Sequence, residues 1–241
     1  MKRIILAFAL GVTAYQVSFA QTEQAPKTAT KDNYGYYGGF GQFNIGVLHT
    51  DYSALNSRLE TMGYSGLDET ELVTGGSGYG VIKKLIIGGE GYATRVQKSS
   101  ANNVKVEAHT EGGMFQLGYV AYGKNHLLLY PLLGVGHRET SIEFLPQDGT
   151  TFNDVLMEPG RSSTLTYSNT ILHASVNATY FIHSGATVNG GLLLGIKAGA
   201  NFRPGTGEWS ANEVAVSDAP DMNRSQFFVQ ASLGGGGLFK R

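Results

Sequence analysis

Residues 186–202 read ATVNGGLLLGIKAGANF, from Ala186 to Phe202. Apolar side chains occupy one parity of this stretch, and small or polar side chains occupy the other. A period of two over this length predicts a β-strand. The apolar face consists of Val188, Leu192, Leu194, Ile196, Ala198, Ala200 and Phe202, and the opposite face includes Thr187, Asn189, Gly191, Gly195, Lys197 and Asn201.

The same two-faced pattern recurs in other segments. In residues 163–182, Leu172 and Val176 lie on the apolar parity, and His173 and Asn177 lie on the polar one. Together with the weaker segments, the pattern predicts an all-β fold, an eight-stranded antiparallel up-and-down transmembrane β-barrel. The predicted strands cover about 34–49, 71–82, 85–99, 104–122, 126–142, 163–182, 186–202 and 225–240.

The connections between these strands alternate in length. Three hinges of two or three residues, Lys83-Lys84, Gly123-Lys124-Asn125 and His183-Ser184-Gly185, lie on one side. On the other side, three connections are long and net acidic, at about 50–70, 143–162 and 203–224. Short periplasmic turns and longer outer loops are typical of outer-membrane barrels, so the hinges predict the periplasmic side.

Charge indicates which face is inside. From Ser162 to Phe202 the only formally charged residue is Lys197, whereas a soluble surface is about 25 to 35% charged. A polar face of Gly, Ser, Thr and Asn suits a narrow lumen better than bulk water. The apolar face is therefore predicted to meet lipid, where only a closed barrel leaves no unsatisfied sheet edge.

The N-terminus and the composition agree with export. Lys2-Arg3, an apolar stretch from Ile4 and the small-residue end at Ala20 predict a cleavable signal peptide over residues 1–20. Residues 21–33 are predicted to form a flexible periplasmic lead-in, and residues 34–241 the barrel domain. The chain has no Cys, which excludes thiol chemistry, and its net charge of -1 gives no case for nucleic acid.

With these features and segments such as Tyr130-Pro131-Leu132-Leu133-Gly134-Val135-Gly136, the chain resembles the small, porin-like outer-membrane barrels of the OmpA, OmpX and OmpW classes. The resemblance implies the fold and a location in the outer membrane of a Gram-negative cell, in contact with outer-membrane lipid and lipopolysaccharide. Many such proteins end on an aromatic residue, but here Phe239 is followed by Lys240-Arg241.

The lumen is the first candidate site. Eight strands enclose a space that side chains fill or that holds one small ligand. Filled packing is the favoured interpretation. Glu90 and Lys197 are predicted to share one polar network, because an unpaired buried charge costs several kcal/mol. The predicted lumen polar network is Gln42, Asn44, Glu90, Gln116, His173, Asn177, Asn189, Lys197 and Gln230.

Glycines are predicted to make room inside the lumen for large side chains. By parity, the lumen glycines are Gly76, Gly78, Gly80, Gly118, Gly134, Gly136, Gly191 and Gly195, and the large residues that they accommodate are Tyr36, Phe40, Tyr92, Tyr130 and Phe228.

Two groups of residues are candidates for metal binding or for catalysis. Pairing strands four and five brings His109 near Glu139 and Glu111 near His137, a set of ligands that suits a transition metal. A hydrated rim above the bilayer is the favoured alternative. His173 and Ser175 on one strand resemble the arrangement in outer-membrane lipid A deacylases, but the next strand supplies no acidic residue to orient the His.

Two features of the outer loops are further candidates for an interaction role. Ser53 to Met62 predicts a short helix with Leu55, Leu59 and Met62 on one side, either a lid over the barrel mouth or simple loop packing. Trp209, the sole tryptophan, is a candidate anchor for a partner or for the membrane surface.

The sequence thus favours a non-enzymatic outer-membrane barrel with a structural, adhesive or loop-mediated interaction role and no cofactor. The first alternative is a small pore or conduit for a small solute or hydrophobic ligand. A lipid-modifying outer-membrane enzyme and a soluble ligand-binding barrel are further alternatives. The sequence does not predict a specific ligand, a receptor or an oligomeric state.

Overall fold

The computed structural model describes residues 35–101, 103–146, 162–182, 188–222 and 224–240, without the side chains of residues 188, 189 and 240. The predicted signal peptide, the lead-in and the hinge at His183-Ser184-Gly185 lie outside these residues. The strands are β1 (Tyr36–Thr50), β2 (Thr70–Lys83), β3 (Leu85–Thr94), β4 (Gln97–Ala101), β5 (Val104–Tyr119), β6 (Tyr122–Lys124), β7 (Leu127–Pro146), β8 (Ser163–Phe181), β9 (Val188–Phe202), β10 (Glu208–Ala211), β11 (Val214–Ala215) and β12 (Ser225–Lys240), and the helix is α1 (Ser53–Thr61).

Eight of these strands close into a ring. β1, β2, β3, β5, β7, β8, β9 and β12 each pair antiparallel with the next, and β12 pairs with β1. The closing ladder runs from Tyr36↔Lys240 to Thr50↔Gln226. The predicted closed, antiparallel, eight-stranded barrel is confirmed. Among the described residues, no helix has the length and apolar character needed to cross a membrane.

The apolar and polar faces of the strands lie on the sides of the barrel that the alternation predicts. On β8, Val176 is 66% exposed and its neighbour Asn177 is 2% exposed. On β9, Ile196 is 64% exposed and Lys197 is 1% exposed. The apolar parity therefore points out of the barrel and the polar parity points into it.

Several predicted boundaries differ from the structure. The segment predicted as one strand over 85–99 is split, because β3 ends at Thr94 and β4 pairs with β5 only. The predicted hinge at 123–125 is a two-residue turn at Asn125-His126 between β6 and β7. Both turn residues have positive φ, 51° and 67°, as the hairpin turns that match strand twist require. β7 also continues to Pro146 rather than ending near residue 142.

An outer cap extends the barrel on the long-loop side. β5, β7 and β8 run beyond the ring, β4 adds to the free edge of β5, and β10 with β11 adds to β8. Helix α1 buries Leu55 and Leu59 against this sheet. We define the outer cap as α1, β4, β10, β11 and the outer parts of β5 (104–110), β7 (138–146) and β8 (163–171). Its apolar core comprises Tyr52, Leu55, Leu59, Leu67, Val106, Ala108, Ile142, Tyr167, Trp209 and Met222.

The glycine prediction is partly wrong. On β2 the buried residues are Glu71, Val73, Tyr79 and Val81, so Gly76, Gly78 and Gly80 face outward rather than into the lumen. The parity was misassigned because glycine occurs on both faces of β2. Gly118, Gly134, Gly136, Gly191 and Gly195 do share the parity of buried residues. The outward glycines form a bare patch across four neighbouring strands, made of Gly39, Gly41, Gly76, Gly78, Gly80, Gly89, Gly91, Gly235 and Gly237.

Gly236→Ala and Gly235→Ala should separate the two faces of β12. A Cβ on Gly236 would lie 2.4 Å from both Phe40 Cβ and the Gly39 carbonyl oxygen, whereas one on Gly235 meets its nearest atom at 3.4 Å. We expect Gly236→Ala to lower the free energy of unfolding by about 1–3 kcal/mol and Gly235→Ala to change it by less than about 0.5 kcal/mol, as urea unfolding would measure. Equal effects would contradict the inward placement of Gly236.

Candidate functional site in the barrel interior

Apolar side chains close the lumen at the short-turn end. Tyr36, Phe40, Tyr79, Val81, Ile86, Val120, Leu128, Tyr130, Leu132, Phe181, Leu193 and Leu238 form one buried cluster. Phe40 is at its centre, with ring centroids 5.3 Å from Tyr79 and 6.2 Å from Phe181. Sequence analysis did not identify Leu193 or Phe181 as interior residues, because both parities are apolar near the strand ends.

A charged pair spans the middle of the lumen. Lys197 Nζ, on β9, donates to both carboxylate oxygens of Glu90, on β3. These strands stand on opposite sides of the ring. Both side chains are at most 2% exposed. The expected contact between Glu90 and Lys197 is therefore confirmed.

Amide side chains complete the shell of the carboxylate. Gln116 Nε2 lies 3.2 Å from Glu90 Oε2, and Asn44 Nδ2 lies 3.4 Å from Glu90 Oε1. Tyr79 donates to Gln116 Oε1 at 2.7 Å, and Ser232 donates to Asn44 Oδ1 at 2.7 Å. Together with β9, which carries Lys197, six strands thus contribute to one hydrogen-bonded network that ties opposite walls of the barrel together.

Toward the outer side, His173 lies next to this network. Its Nδ1 is 2.8 Å from Asn201 Oδ1, and its Nε2 is 2.9 Å from Ser175 Oγ. Phe228 stacks on the imidazole with a centroid distance of 5.3 Å. With an amide oxygen accepting from Nδ1–H, Nε2 accepts from the Ser175 hydroxyl. Asn177 donates to the same hydroxyl oxygen at 3.0 Å.

This arrangement places serine, histidine and asparagine in the order of a catalytic triad. The orienting group Asn201 was missed because an acidic partner was sought. A neutral amide holds the imidazole tautomer but does not stabilise an imidazolium as a carboxylate does. Ser175 is 6% exposed and His173 3% exposed, and both face the lumen rather than the apolar exterior. The position of the pair does not give it contact with acyl chains outside the barrel.

A small cavity remains beside His173. Its volume is about 10 Å³, enough for roughly one water molecule. The lining residues are Leu48, Val73, Glu90, Tyr92, Met114, His173, Asn201, Phe228 and Gln230. The described part of the lumen is therefore filled by side chains at this level as well.

Three other predicted members of the network make no hydrogen bond to Glu90 or Lys197 among the described contacts. Gln42 and Gln230 are buried, and their Oε1 atoms have no hydrogen-bond partner among the described residues. The side chain of Asn189 lies outside the described part of the chain. Its backbone pairs with Leu238 at the short-turn end, away from Glu90.

Two further charged side chains, on β2 and β7, are buried nearer the outer mouth of the barrel. Glu71 is 4% exposed and Arg138 is 2% exposed, both near the outer mouth. Tyr52 donates to Glu71 at 2.9 Å, and Arg138 donates to Asn169 at 3.0 Å. Burial and the neighbouring Glu71 carboxylate raise the pKa of Tyr52. Glu71 was missed through the same parity error on β2 that misplaced the glycines.

The proposed metal ligands do not assemble as predicted. In the structure Glu111 pairs with Glu139, His109 with Ser141 and Gly113 with His137, a register two residues from the predicted one. The turn at Asn125-His126 lies further along the chain than the centre of the predicted hinge, and the register changes by one residue between β6 and β5. Within the part of the chain that the structure describes, no three His, Asp or Glu side chains form a group suited to a metal ion.

Trp209 and Arg203 stabilise the outer cap through internal contacts. Trp209 is 8% exposed, donates from Nε1 to the Pro220 carbonyl at 2.9 Å and packs on Tyr167. It is therefore a core residue, not an exposed anchor for a partner. Arg203 donates to Tyr167 Oη and to both carboxylate oxygens of Asp221, and this hydrogen bonding lowers the pKa of Asp221.

Helix α1 ends at Thr61 and partly follows the prediction. Leu55 and Leu59 are buried, but Met62 is 68% exposed. The helix therefore has features of both predicted roles, a lid and simple loop packing. It packs within its own loop, and it also covers the sheet above the ring.

Comparisons with known proteins find similarity of structure only. No protein-family model matches the sequence, and no curated protein matches it. The structure is similar to Ail, the attachment invasion locus protein of Yersinia pestis, at 10% identity, with 83% of this chain and 98% of that chain covered and a TM-score of 0.45. It is also similar to the outer membrane protease OmpT of Escherichia coli (9% identity, 90% and 99% covered, TM-score 0.30) and to the outer membrane protein AlkL (12%, 92% and 98%, TM-score 0.33). These likenesses assign no activity to this chain, and its closed barrel is established by its own strand pairing.

Glu90→Gln tests the energetic role of the central pair. Because it leaves the Lys197 ammonium buried without a counter-charge, we expect a loss of about 3–5 kcal/mol in the free energy of unfolding. Lys197→Met should have a similar cost, and the double variant should lose less than the sum. Urea unfolding would measure all three.

The matched control is Lys98→Gln, which breaks an exposed ion pair with Glu107 at 3.5 Å. It should cost at most about 1 kcal/mol. Additive effects of Glu90→Gln and Lys197→Met would contradict a direct energetic coupling between the two side chains.

Proposed function

We propose that this protein is a non-enzymatic, integral β-barrel of the bacterial outer membrane, with a solute-tight interior and a structural or adhesive outer cap. The observation that carries the proposal is the inverted distribution of polarity. The closed ring turns large apolar side chains outward and hydrogen-bonds its polar side chains inside, the reverse of a soluble barrel. Hydrocarbon is the solvent in which that arrangement is favourable.

The apolar belt extends around the whole ring. Every barrel strand contributes at least one large apolar side chain that is more than a third exposed. Representative members are Phe43, Leu72, Ile87, Phe115, Leu133, Val176, Ile196 and Val229, with exposures of 55, 43, 37, 51, 67, 66, 64 and 54%. Soluble monomers seldom expose a continuous apolar surface of this kind, whereas a barrel embedded in lipid needs one.

Sidedness and export complete the proposed placement. Residues 1–20 are proposed to direct export and residues 21–33 to lie in the periplasm, with residues 34–241 as the barrel domain. The short turns carry Lys83, Lys84 and Lys124 and are assigned to the periplasmic side. The outer cap then projects from the cell, and the outer end of the belt meets lipopolysaccharide.

The filled lumen supports a scaffold or adhesive role over a pore. The apolar cluster around Phe40, the Glu90–Lys197 network and the stacked His173–Phe228 pair fill three successive levels of the described interior. Passage of a small solute or hydrophobic ligand would require all three to rearrange. The predicted lumen polar network is accordingly proposed to stabilise the barrel rather than to bind a ligand.

The cap supports an interaction role because it is folded. Continuous strands β5, β7 and β8 hold it above the ring, and the Arg203–Asp221 and Trp209–Pro220 contacts fix its last loop. A partner would meet a rigid surface, so that little conformational entropy is lost on binding.

Val176→Arg and Leu192→Arg test the membrane placement. Each places a cation on the lipid-facing side. We expect Val176→Arg, in the middle of the β8–β9 ladder, to lower the free energy of unfolding by about 2–4 kcal/mol. Leu192→Arg lies nearer the short-turn end and should lower it by less, because the cost of a cation falls toward the interfaces. Reversible urea unfolding in phospholipid vesicles would measure it. Val214→Arg, at a cap residue that is 70% exposed, is the control and should change stability by less than about 0.5 kcal/mol. Equal tolerance at all three positions would argue against lipid contact.

Planar-bilayer recording tests the closed interior. After insertion has been verified by protease protection of the barrel, we expect no stable conductance level, because three layers of packed side chains occupy the lumen. Reproducible unitary steps from the purified protein would favour the pore and contradict the proposed scaffold role.

A further inference from the structure

We infer that Lys83, Lys84 and Lys124 form a basic rim that binds the head groups of anionic phospholipids in the leaflet facing the short turns. This inference rests on the proposed membrane placement. It goes beyond that placement by naming a lipid class and the side chains that select it.

Within the described part of the chain, the short-turn end carries charge of one sign. Residues 35–40, 79–88, 115–132, 178–182, 188–195 and 234–240 lie at this end, and their sequence contains Lys83, Lys84, Lys124 and Lys240 but no Asp or Glu. The acidic residue nearest to this end in the described lumen is Glu90, which is buried and paired with Lys197. Among the described residues, the lysines therefore have no carboxylate at their own end to neutralise them.

The fold holds these lysines at the edge of the apolar belt. Lys83 lies in the turn between β2 and β3 with φ of 60°, and its side chain passes beside Gly35. Lys84 Nζ lies 5.9 Å from the centroid of the Tyr119 ring. Lys124 ends β6 and pairs with Leu127 across the tight hairpin. All three side chains are exposed.

Tyrosines at the same level mark the interface between the hydrocarbon and the head groups. Tyr119, Tyr122 and Tyr180 are 52, 44 and 47% exposed. Amphipathic aromatic rings favour this depth, and lysines there extend their ammonium groups to the lipid phosphates. Side chains of both kinds thus surround the position at which a phosphodiester would lie.

Charge complementarity selects an anionic head group over a zwitterionic one. Both offer a phosphate oxygen to an ammonium group, but phosphatidylcholine adds a quaternary ammonium that the lysines repel. Phosphatidylglycerol carries the phosphate charge alone. Juxtamembrane lysines are attracted to such lipids, and the attraction weakens as salt increases.

The experiment uses the mature chain refolded in phosphatidylcholine vesicles that contain a minority of phosphatidylglycerol. Spin-labelled phosphatidylglycerol and spin-labelled phosphatidylcholine report, by electron paramagnetic resonance, the relative association of each lipid with the barrel. We expect a preference for phosphatidylglycerol of about threefold or more at low salt, falling to near unity in the triple variant Lys83→Gln/Lys84→Gln/Lys124→Gln.

Two variants sharpen the assignment. Lys84→Gln, which removes only the lysine that lies over Tyr119, should retain part of the preference and guards against misfolding of the triple variant. Lys98→Gln/Lys105→Gln removes the same kind of charge from the outer cap. Because both leaflets of these vesicles contain the anionic lipid, it is a matched control, and its preference should equal that of the wild type.

The outcomes separate this inference from the proposed function. A chain that fails to gain protease protection in vesicles would overturn both. A chain that inserts but shows no preference, or whose preference survives in the triple variant or is lost equally in the cap control, would overturn the basic rim alone.

Discussion

The structure depends on closure of the β1–β12 ladder. Fifteen residues of β1 pair with fifteen of β12, and this seam converts an open sheet into a ring without edges. Backbone N–H and C=O groups left open in hydrocarbon have no water to satisfy them, so closure allows the outward face to be apolar everywhere. The same closure with only eight strands makes the interior narrow, and the inward side chains must therefore bond to one another.

The Glu90–Lys197 pair meets that requirement at a high desolvation cost. The attraction between two buried ions offsets their desolvation free energy only when the geometry is good and further hydrogen bonds satisfy the remaining lone pairs. Gln116 and Asn44 supply those bonds to the carboxylate. A slip of one residue in either strand would turn one charged side chain out into the apolar belt, so the pair also favours a single register.

The sequence predicted the barrel and much of its interior because one parity of β1, β8, β9 and β12 is consistently apolar. It failed where that contrast is missing. On β2, glycine occupies both parities, and the inward face is the one that carries Tyr79 and Val81, which are buried. Asn201 and Arg138 acquire their roles from side chains on other strands, at His173 and Asn169. Pairing across strands depends on register, and the register between β5 and β7 differs from the predicted one in part because the turn includes His126, which the pattern assigned to a strand.

The glycines of the bare patch have a further consequence for how the ring opens. β12, β1, β2 and β3 carry glycine on both faces, and glycine loses more backbone freedom on folding than any other residue. The strands that flank the seam therefore gain the most backbone entropy when they detach. Unfolding should therefore begin with separation of β1 from β12. The strands on the opposite side of the barrel, together with the outer cap, should unfold last.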